Sequence, residues 1–169
     1  MDTPDYIAVT IDSIRKHPDS EHRVVVLRAS EDRILPIWIG PFEADAITIT
    51  LEGKQPDRPM THDLTVRLLE TLAAQVQQVV VNKIIDSTFY AEITLDQGEQ
   101  RHLIDARPSD ALALAVRTNT PLFVARAVLD AASGPDDDEF WEKMAAIVRE
   151  ERQRWAKAAE AAGEQPAAT

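Results

Sequence analysis

The chain reads as an α+β domain: a mixed, mostly antiparallel sheet with three main helices packed on it, plus a C-terminal helical appendage. Three observations predict this. Several short stretches alternate apolar and polar residues, or run apolar without a break, between clusters of turn residues, which is strand patterning. Three longer segments place apolar residues at steps of three and four, which is helix patterning. From Ser133 the composition changes, with Ser133-Gly134-Pro135, the acidic run Asp136-Asp137-Asp138-Glu139, and then a helical pattern through Phe140, Trp141, Met144, Ile147, Val148 and Trp155. The chain thus divides into a body over residues 1–132 and an acidic helical tail over 133–169, whose end from Ala161 reads as disordered.

The elements follow in order. Tyr6 to Ile14 is a strand, with Ile7, Val9 and Ile11 on one face. His17-Pro18-Asp19-Ser20 is a turn cluster. Val24 to Leu27 is apolar on both faces, as a central strand is. Glu31-Asp32 turns into a third strand, Arg33 to Ile39, where Pro36 calls for an edge or a bulge. Pro41 suits a first helical turn, Glu43 and Asp45 suit its dipole, and Phe42, Ala46, Ile47, Thr50 and Leu51 recur at helical spacing up to Gly53. Lys54 to Met60 is a loop. Thr61 is a good N-cap for a second helix whose apolar stripe is Leu64, Leu68, Leu69, Leu72 and Val76.

Gln77 to Ile85 and Thr88 to Leu95 form a hairpin around Asp86-Ser87, and a turn at Asp96–Glu99 leads to the strand Arg101 to Ala106. Pro108 opens a third, alanine-rich helix that ends at Asn119-Thr120-Pro121. Leu122 to Val124 is a last strand and Ala125 to Ala132 a short helix.

The chain has 169 residues, 44% of them apolar and 28% charged, which is the balance of a soluble globular protein. Nothing in it resembles a membrane span or a signal peptide, and cysteine is absent, which excludes disulfides and thiolate metal sites. A cytoplasmic protein is expected. The formal charge of −11 opposes binding to nucleic acid through phosphates, so any such contact needs a local basic patch or a bound cation.

Two segments concentrate the reactive side chains: Pro59-Met60-Thr61-His62-Asp63-Leu64 and Ile104-Asp105-Ala106-Arg107-Pro108-Ser109-Asp110-Ala111. Each stands where a helical pattern begins. A helix start offers unpaired N–H groups and the positive end of the dipole, a place suited to anions.

The order Leu35-Pro36-Ile37-Trp38-Ile39-Gly40, Glu43-Ala44-Asp45-Ala46-Ile47, Arg58-Pro59-Met60-Thr61-His62-Asp63-Leu64, Phe89-Tyr90-Ala91 and Asp105-Ala106-Arg107-Pro108-Ser109-Asp110-Ala111-Leu112-Ala113-Leu114-Ala115 resembles the bifunctional nuclease domain family of bacteria and plants. The resemblance covers roughly residues 6 to 132. It implies an α+β domain, a homo-oligomer, and nuclease activity on both DNA and RNA.

Phosphodiester hydrolysis needs an activated water, stabilisation of phosphate charge and help for the leaving oxygen, all of which divalent metals on carboxylates can supply. On that reading the catalytic candidates are His62, Asp63, Asp105 and Asp110. Arg58, Arg107 and Ser109 would bind phosphate, and Glu43, Asp63 and Asp110 would hold Mg²⁺ or Mn²⁺. The same residues also fit plain helix starts: Asp63 and Asp110 facing exposed N–H groups, Asp105 paired with Arg107, Glu43 as a first-turn acid. Trp38 reads as core or interface, His17, His22 and His102 as solvated, and the Asp136–Glu139 run as a solvated helix start. No His-Glu-x-x-His or Gly-rich phosphate loop is present. Two rivals to a nuclease remain: a non-catalytic oligomeric binding or regulatory module, and a small-anion site at the two helix starts.

Overall fold

The computed structural model describes residues 5–16, 21–30 and 32–161. The turn expected at His17–Ser20, Glu31 and the far end of the tail lie outside the described residues. The chain forms two compact units that meet at Ser133 and Gly134.

The first unit contains β1 (Tyr6–Lys16), β2 (Arg23–Ala29), β3 (Arg33–Ile39), α1 (Pro41–Leu51), α2 (Thr61–Thr71), β4 (Ala74–Ile85), β5 (Thr88–Gln97), β6 (Gln100–Ala106), α3 (Pro108–Thr118), β7 (Leu122–Ala125) and α4 (Arg126–Ala132). Its strands lie in the order β6-β5-β4-β7-β1-β2-β3. Among the described residues of this unit only β4 and β7 run parallel, and the other neighbours are antiparallel, so the fold is α+β with helices packed on a mostly antiparallel sheet. The parallel pair arises because α3 carries the chain back over the sheet between β6 and β7.

Local chemistry explains the elements. Val24 to Leu27 are buried on both faces of β2, which lies between β1 and β3. Pro36 stands opposite Val26 in β3 without a shift of register. Asp86 and Ser87 both take positive φ, as a tight two-residue hairpin turn requires, and they join β4 to β5. In α3, residues Ala111 to Ala115 are all buried. Its small alanines let it sit between α1 and α2 while it packs on β4 and β5. One core cluster joins Val25, Leu27, Leu35, Ile37 and Val124 to Ile47, Leu112 and Leu129, and a second joins Val79, Ala91 and Ile93 to Ala111, Leu114 and Ala115.

The second helix departs from its sequence pattern in three ways. Its N-cap is Met60 rather than Thr61, and it ends at Thr71 rather than running on to Val76. Ala73 takes φ 53° and turns the chain into β4, where Val76 pairs with Leu95. Leu72 and Val76 misled the pattern because a step of four keeps one face in a helix and in a strand alike. The stripe Leu64, Leu68 and Leu72 faces outward, 52%, 54% and 61% exposed. Val66, with His62, Asp63 and Leu69, makes up the more sheltered side.

The second unit carries α5 (Asp138–Ala161). At its acidic start Asp137 is the cap, its carboxylate accepting from the backbone N–H of Phe140, while the Asp136 carboxylate accepts from the indole N–H of Trp141.

Candidate functional site

The starts of α1, α2 and α3 meet. At the end of β6 the chain turns with Arg107 as N-cap of α3 and Pro108 presets the first turn, which places Asp110 at the third helical position. The Arg107 guanidinium folds onto that carboxylate, donating from Nε to Oδ2 at 2.7 Å and from Nη2 to Oδ1 at 3.2 Å. Its Nη1 donates to Oε1 of Glu43 at 3.2 Å, on the first turn of α1. From the first turn of α2, Nε2 of His62 lies 3.2 Å from Oδ1 of Asp110. Four polar side chains from three helix starts thus form one chain of contacts, His62–Asp110–Arg107–Glu43. The His62 side chain is 16% exposed and that of Arg107 65%, so the cluster runs from a sheltered imidazole to an open guanidinium.

Gly40 makes room for the Glu43 carboxylate. A Cβ at Gly40 would lie 2.2 Å from Oε2 of Glu43, so the acid, as it folds back over the helix start, occupies space that a larger residue would take.

Charge binds the cluster. Burial alone would push Asp110 up, but its bonds to Arg107 and His62 outweigh this and hold it below the usual aspartate range. The same bond to Asp110, reinforced by Glu43, keeps Arg107 more firmly protonated than usual.

Asp63 faces elsewhere. Its Oδ1 accepts from Nε of Arg117 at 2.7 Å, and its Oδ2 accepts from the backbone N–H of Met60 at 2.8 Å. Arg117, with a side chain only 6% exposed, also donates to the carbonyls of Ala46 and Ala113 at 2.8 and 2.9 Å. One guanidinium therefore ties α1, α2 and α3 together, and its bond to Asp63 holds that carboxyl below the usual range. Sequence reasoning passed over Arg117. Its one signal is a spacing of seven from Asp110, two helical turns along the same face. A cleft with about 640 Å³ of room, lined by Lys54, Asp57, Asp63, Arg67 and Arg117 among others, adjoins this pair, and neither His62 nor Asp110 lines it.

The remaining candidates stand apart. Ala106 packs with the α3 side of the core, so Asp105, one residue earlier in β6, points to the opposite face of the sheet. It is exposed and lies across from Glu92 rather than against Arg107. Arg58 is exposed in the loop before α2, and Ser109 is buried in the first turn of α3. The carboxylates considered for a divalent metal do not gather around one point: Glu43 and Asp110 share Arg107, while Asp63 is turned to Arg117. Among the described residues no group of three or more His, Asp or Glu side chains could hold a metal ion. A metal resting on Glu43, Asp63 and Asp110 together does not fit this arrangement, because Asp63 is turned to Arg117 and the Met60 N–H while Glu43 and Asp110 share Arg107.

The profile of the bifunctional nuclease domain family matches residues 25–137, which span both corners of the cluster. The chain belongs to the bifunctional nuclease domain family. An uncharacterized protein of Mycobacterium tuberculosis is 38% identical over 144 residues, 85% of this chain and 86% of that protein. Among plant proteins, bifunctional nuclease 2 of Oryza sativa subsp. japonica is 27% identical over 120 residues, and bifunctional nuclease 1 of Oryza sativa subsp. indica is 22% identical over 120 residues. Each match covers 68% of this chain but only 37% and 36% of the respective plant protein. Among the described residues, no helix is long and apolar enough to cross a membrane.

Proposed function

We propose that this chain is a cytoplasmic nuclease that hydrolyses phosphodiester bonds in DNA and RNA, with His62 and Arg107 at the centre of its site. The observation that carries the reading is the contact of His62 with Asp110, on the carboxylate that also holds Arg107. With Nε2–H donated to Asp110, the neutral ring keeps the Nδ1 lone pair free to take a proton from an attacking water or hydroxyl. Asp110 orients the ring and stabilises the imidazolium that forms. Arg107, open to solvent and held in place by Glu43 and Asp110, supplies a forked donor for phosphate oxygens. Exposed Arg58 adds a second cation at the approach to α2. Within the cluster Glu43 and Asp110 outweigh the charge of Arg107, so Arg58 and the open edge of the guanidinium are what meets a polyanion against the net −11.

The test uses protein purified from a nuclease-deficient host, with single- and double-stranded DNA and RNA, in Mg²⁺, Mn²⁺ or EDTA. Cleavage by the wild type that is lost in His62→Ala and Arg107→Ala supports the reading. Equal cleavage by all three proteins identifies a contaminant and overturns it.

A second reading is a non-catalytic, self-assembling module. The outward stripe of α2 favours it, as does the use of Asp63 and Arg117 as a tie between helices. Self-assembly is compatible with both readings, and we propose it for either.

A further inference from the structure

The cleft beside Asp63 and Arg117 gathers polar chemistry apart from the His62 cluster. One wall is the face of α2 that carries Asp63, Val66 and Arg67, and the other is the loop from Gly53 to Pro59. Arg117 reaches it from near the end of α3.

The loop wall is fixed by its own backbone. Gly53 takes φ 66° and closes α1 with two bonds, its N–H to the carbonyl of Thr50 at 3.0 Å and the N–H of Lys54 to that of Ile49 at 3.0 Å. Pro56 and Pro59 each lock a further backbone angle. A wall constrained in this way loses little freedom when a ligand arrives.

Arg117 brings a buried donor to the cleft. Its side chain is only 6% exposed. Nε donates to Oδ1 of Asp63, and Nη1 to the carbonyls of Ala46 and Ala113. Asp63 does not take the second bond of a carboxylate–guanidinium fork, because its Oδ2 accepts from the Met60 N–H instead. Nη2 therefore has no hydrogen-bond partner among the described residues. A donor on a buried charged group calls for an acceptor, and here one can come only from the cleft.

Arg67 is the second such cation. It is exposed on the same cleft, and its side chain makes no hydrogen bond or ion pair among the described residues. Two guanidinium groups facing one space suit a phosphate, which each can hold by forked bonds. The remaining charges narrow the ligand. Lys54, Arg67 and Arg117 are balanced by Asp57, Asp63 and Glu70. A bare polyanion gains little from such a lining. A ligand that brings a phosphate for the guanidinium groups and hydroxyl or amino donors for the acids gains on both counts. Pro56, Pro59 and Val66 add apolar surface against which a flat ring can lie. The room of about 640 Å³ is that of a small-molecule site.

We propose that this cleft binds a nucleoside monophosphate, with its phosphate on Arg67 and on Nη2 of Arg117, its hydroxyl and amino groups on the acids, and its base on the proline-bearing wall. The site is separate from the His62 cluster, and its occupation does not depend on the nuclease reading.

The test is calorimetric titration of the full chain with adenosine monophosphate, and separately with adenosine and with inorganic phosphate. The nucleotide should bind with a Kd below about 1 mM, and each fragment at least about tenfold more weakly. Arg67→Gln alters an exposed side chain, so circular dichroism should show an unchanged fold while binding weakens about tenfold. His62→Ala should bind as the wild type does. No binding at about 5 mM nucleotide, where even a millimolar Kd gives near saturation, overturns the site, as does wild-type affinity in Arg67→Gln. Phosphate bound as tightly as the nucleotide overturns the ligand class. Binding lost in His62→Ala places the nucleotide on the other cluster and overturns this cleft.

The Nε–H of Arg117, held by Asp63, reports from the site itself. Its resonance in a proton–nitrogen correlation spectrum, assigned by its absence from Arg117→Lys, should shift as nucleotide is added, with the calorimetric midpoint. A resonance that stays in place refutes the role of Arg117. Failure of cleavage in the assays above would leave the binding result standing, and failure of binding would leave the nuclease reading standing.

Discussion

Nε2 of His62 lies 3.2 Å from Oδ1 of Asp110, a residue 48 positions further along the chain. The contact joins the first turns of two helices and leaves the other ring nitrogen free of Asp110. If it serves catalysis, its loss should be felt in turnover far more than in stability. His62→Ala should lower cleavage about 10²- to 10⁴-fold, the usual scale for a general base. Its cost in stability should be about 1 kcal/mol, that of one partly exposed hydrogen bond. Paired turnover assays and urea melts check both. A melt that moves by several kcal/mol would make the contact structural.

Arg117 should behave in the opposite way. Its side chain is sealed by Asp63 and two carbonyls, so Arg117→Ala leaves Asp63 without its cation and takes a second donor from two helix carbonyls. The expected loss is about 3 kcal/mol, near the lower end for a broken buried pair because Asp63 keeps some access to water. Arg117→Lys keeps the charge but not the fork, and should recover only part of this. Urea denaturation of the two variants decides it.

Acid should loosen the same tie. The Arg117 bond, with the Met60 N–H, holds Asp63 below the usual aspartate range despite some burial. In the unfolded chain the group titrates near about 3.9. A depressed folded pKa gives stability that is complete above the unfolded value and is lost as pH falls through the folded one. The stability difference between wild type and Asp63→Asn should therefore be flat from about pH 7 to pH 5 and shrink below about pH 4. Melts across that range measure it, and a difference that grows toward acid would reverse the assignment.

Gly40 is predicted to position Glu43. Its φ of −69° suits any residue, so Gly40→Ala strains no backbone. The new Cβ nevertheless meets Oε2 of Glu43 and should push the carboxylate off Arg107. Gly40→Ala should then reproduce the effect of Glu43→Gln on phosphodiester cleavage, with a stability change within about 1 kcal/mol. A Glu43→Gln phenotype that Gly40→Ala does not share counts against a positioning role.

Ala73 offers a backbone test. It holds φ 53° at the turn from α2 to β4, a conformation that costs a side chain about 1 kcal/mol. Ala73→Gly should raise stability by up to about that amount, less the entropy glycine adds to the unfolded chain.

The amino-acid sequence by itself determined the fold class, most element positions and the presence of polar clusters at the starts of α2 and α3. These follow from short-range physics: the periods of helix and strand, proline at a first turn, and Asp86-Ser87 at a hairpin. It also located His62, Arg107 and Asp110 as a group worth attention. It misread α2, because a spacing of four suits both element types and because amphipathicity says that an apolar face exists without saying what covers it. Tertiary structure alone decided which polar residues meet. It joined Glu43 to Arg107 across 64 positions, turned Asp63 to Arg117 across 54, and sent Asp105 to the far face of the sheet. Those outcomes depend on how α3 is wedged between α1 and α2, and on which side of β6 each residue falls. Both are set by packing between elements distant in the chain, which local patterning does not encode.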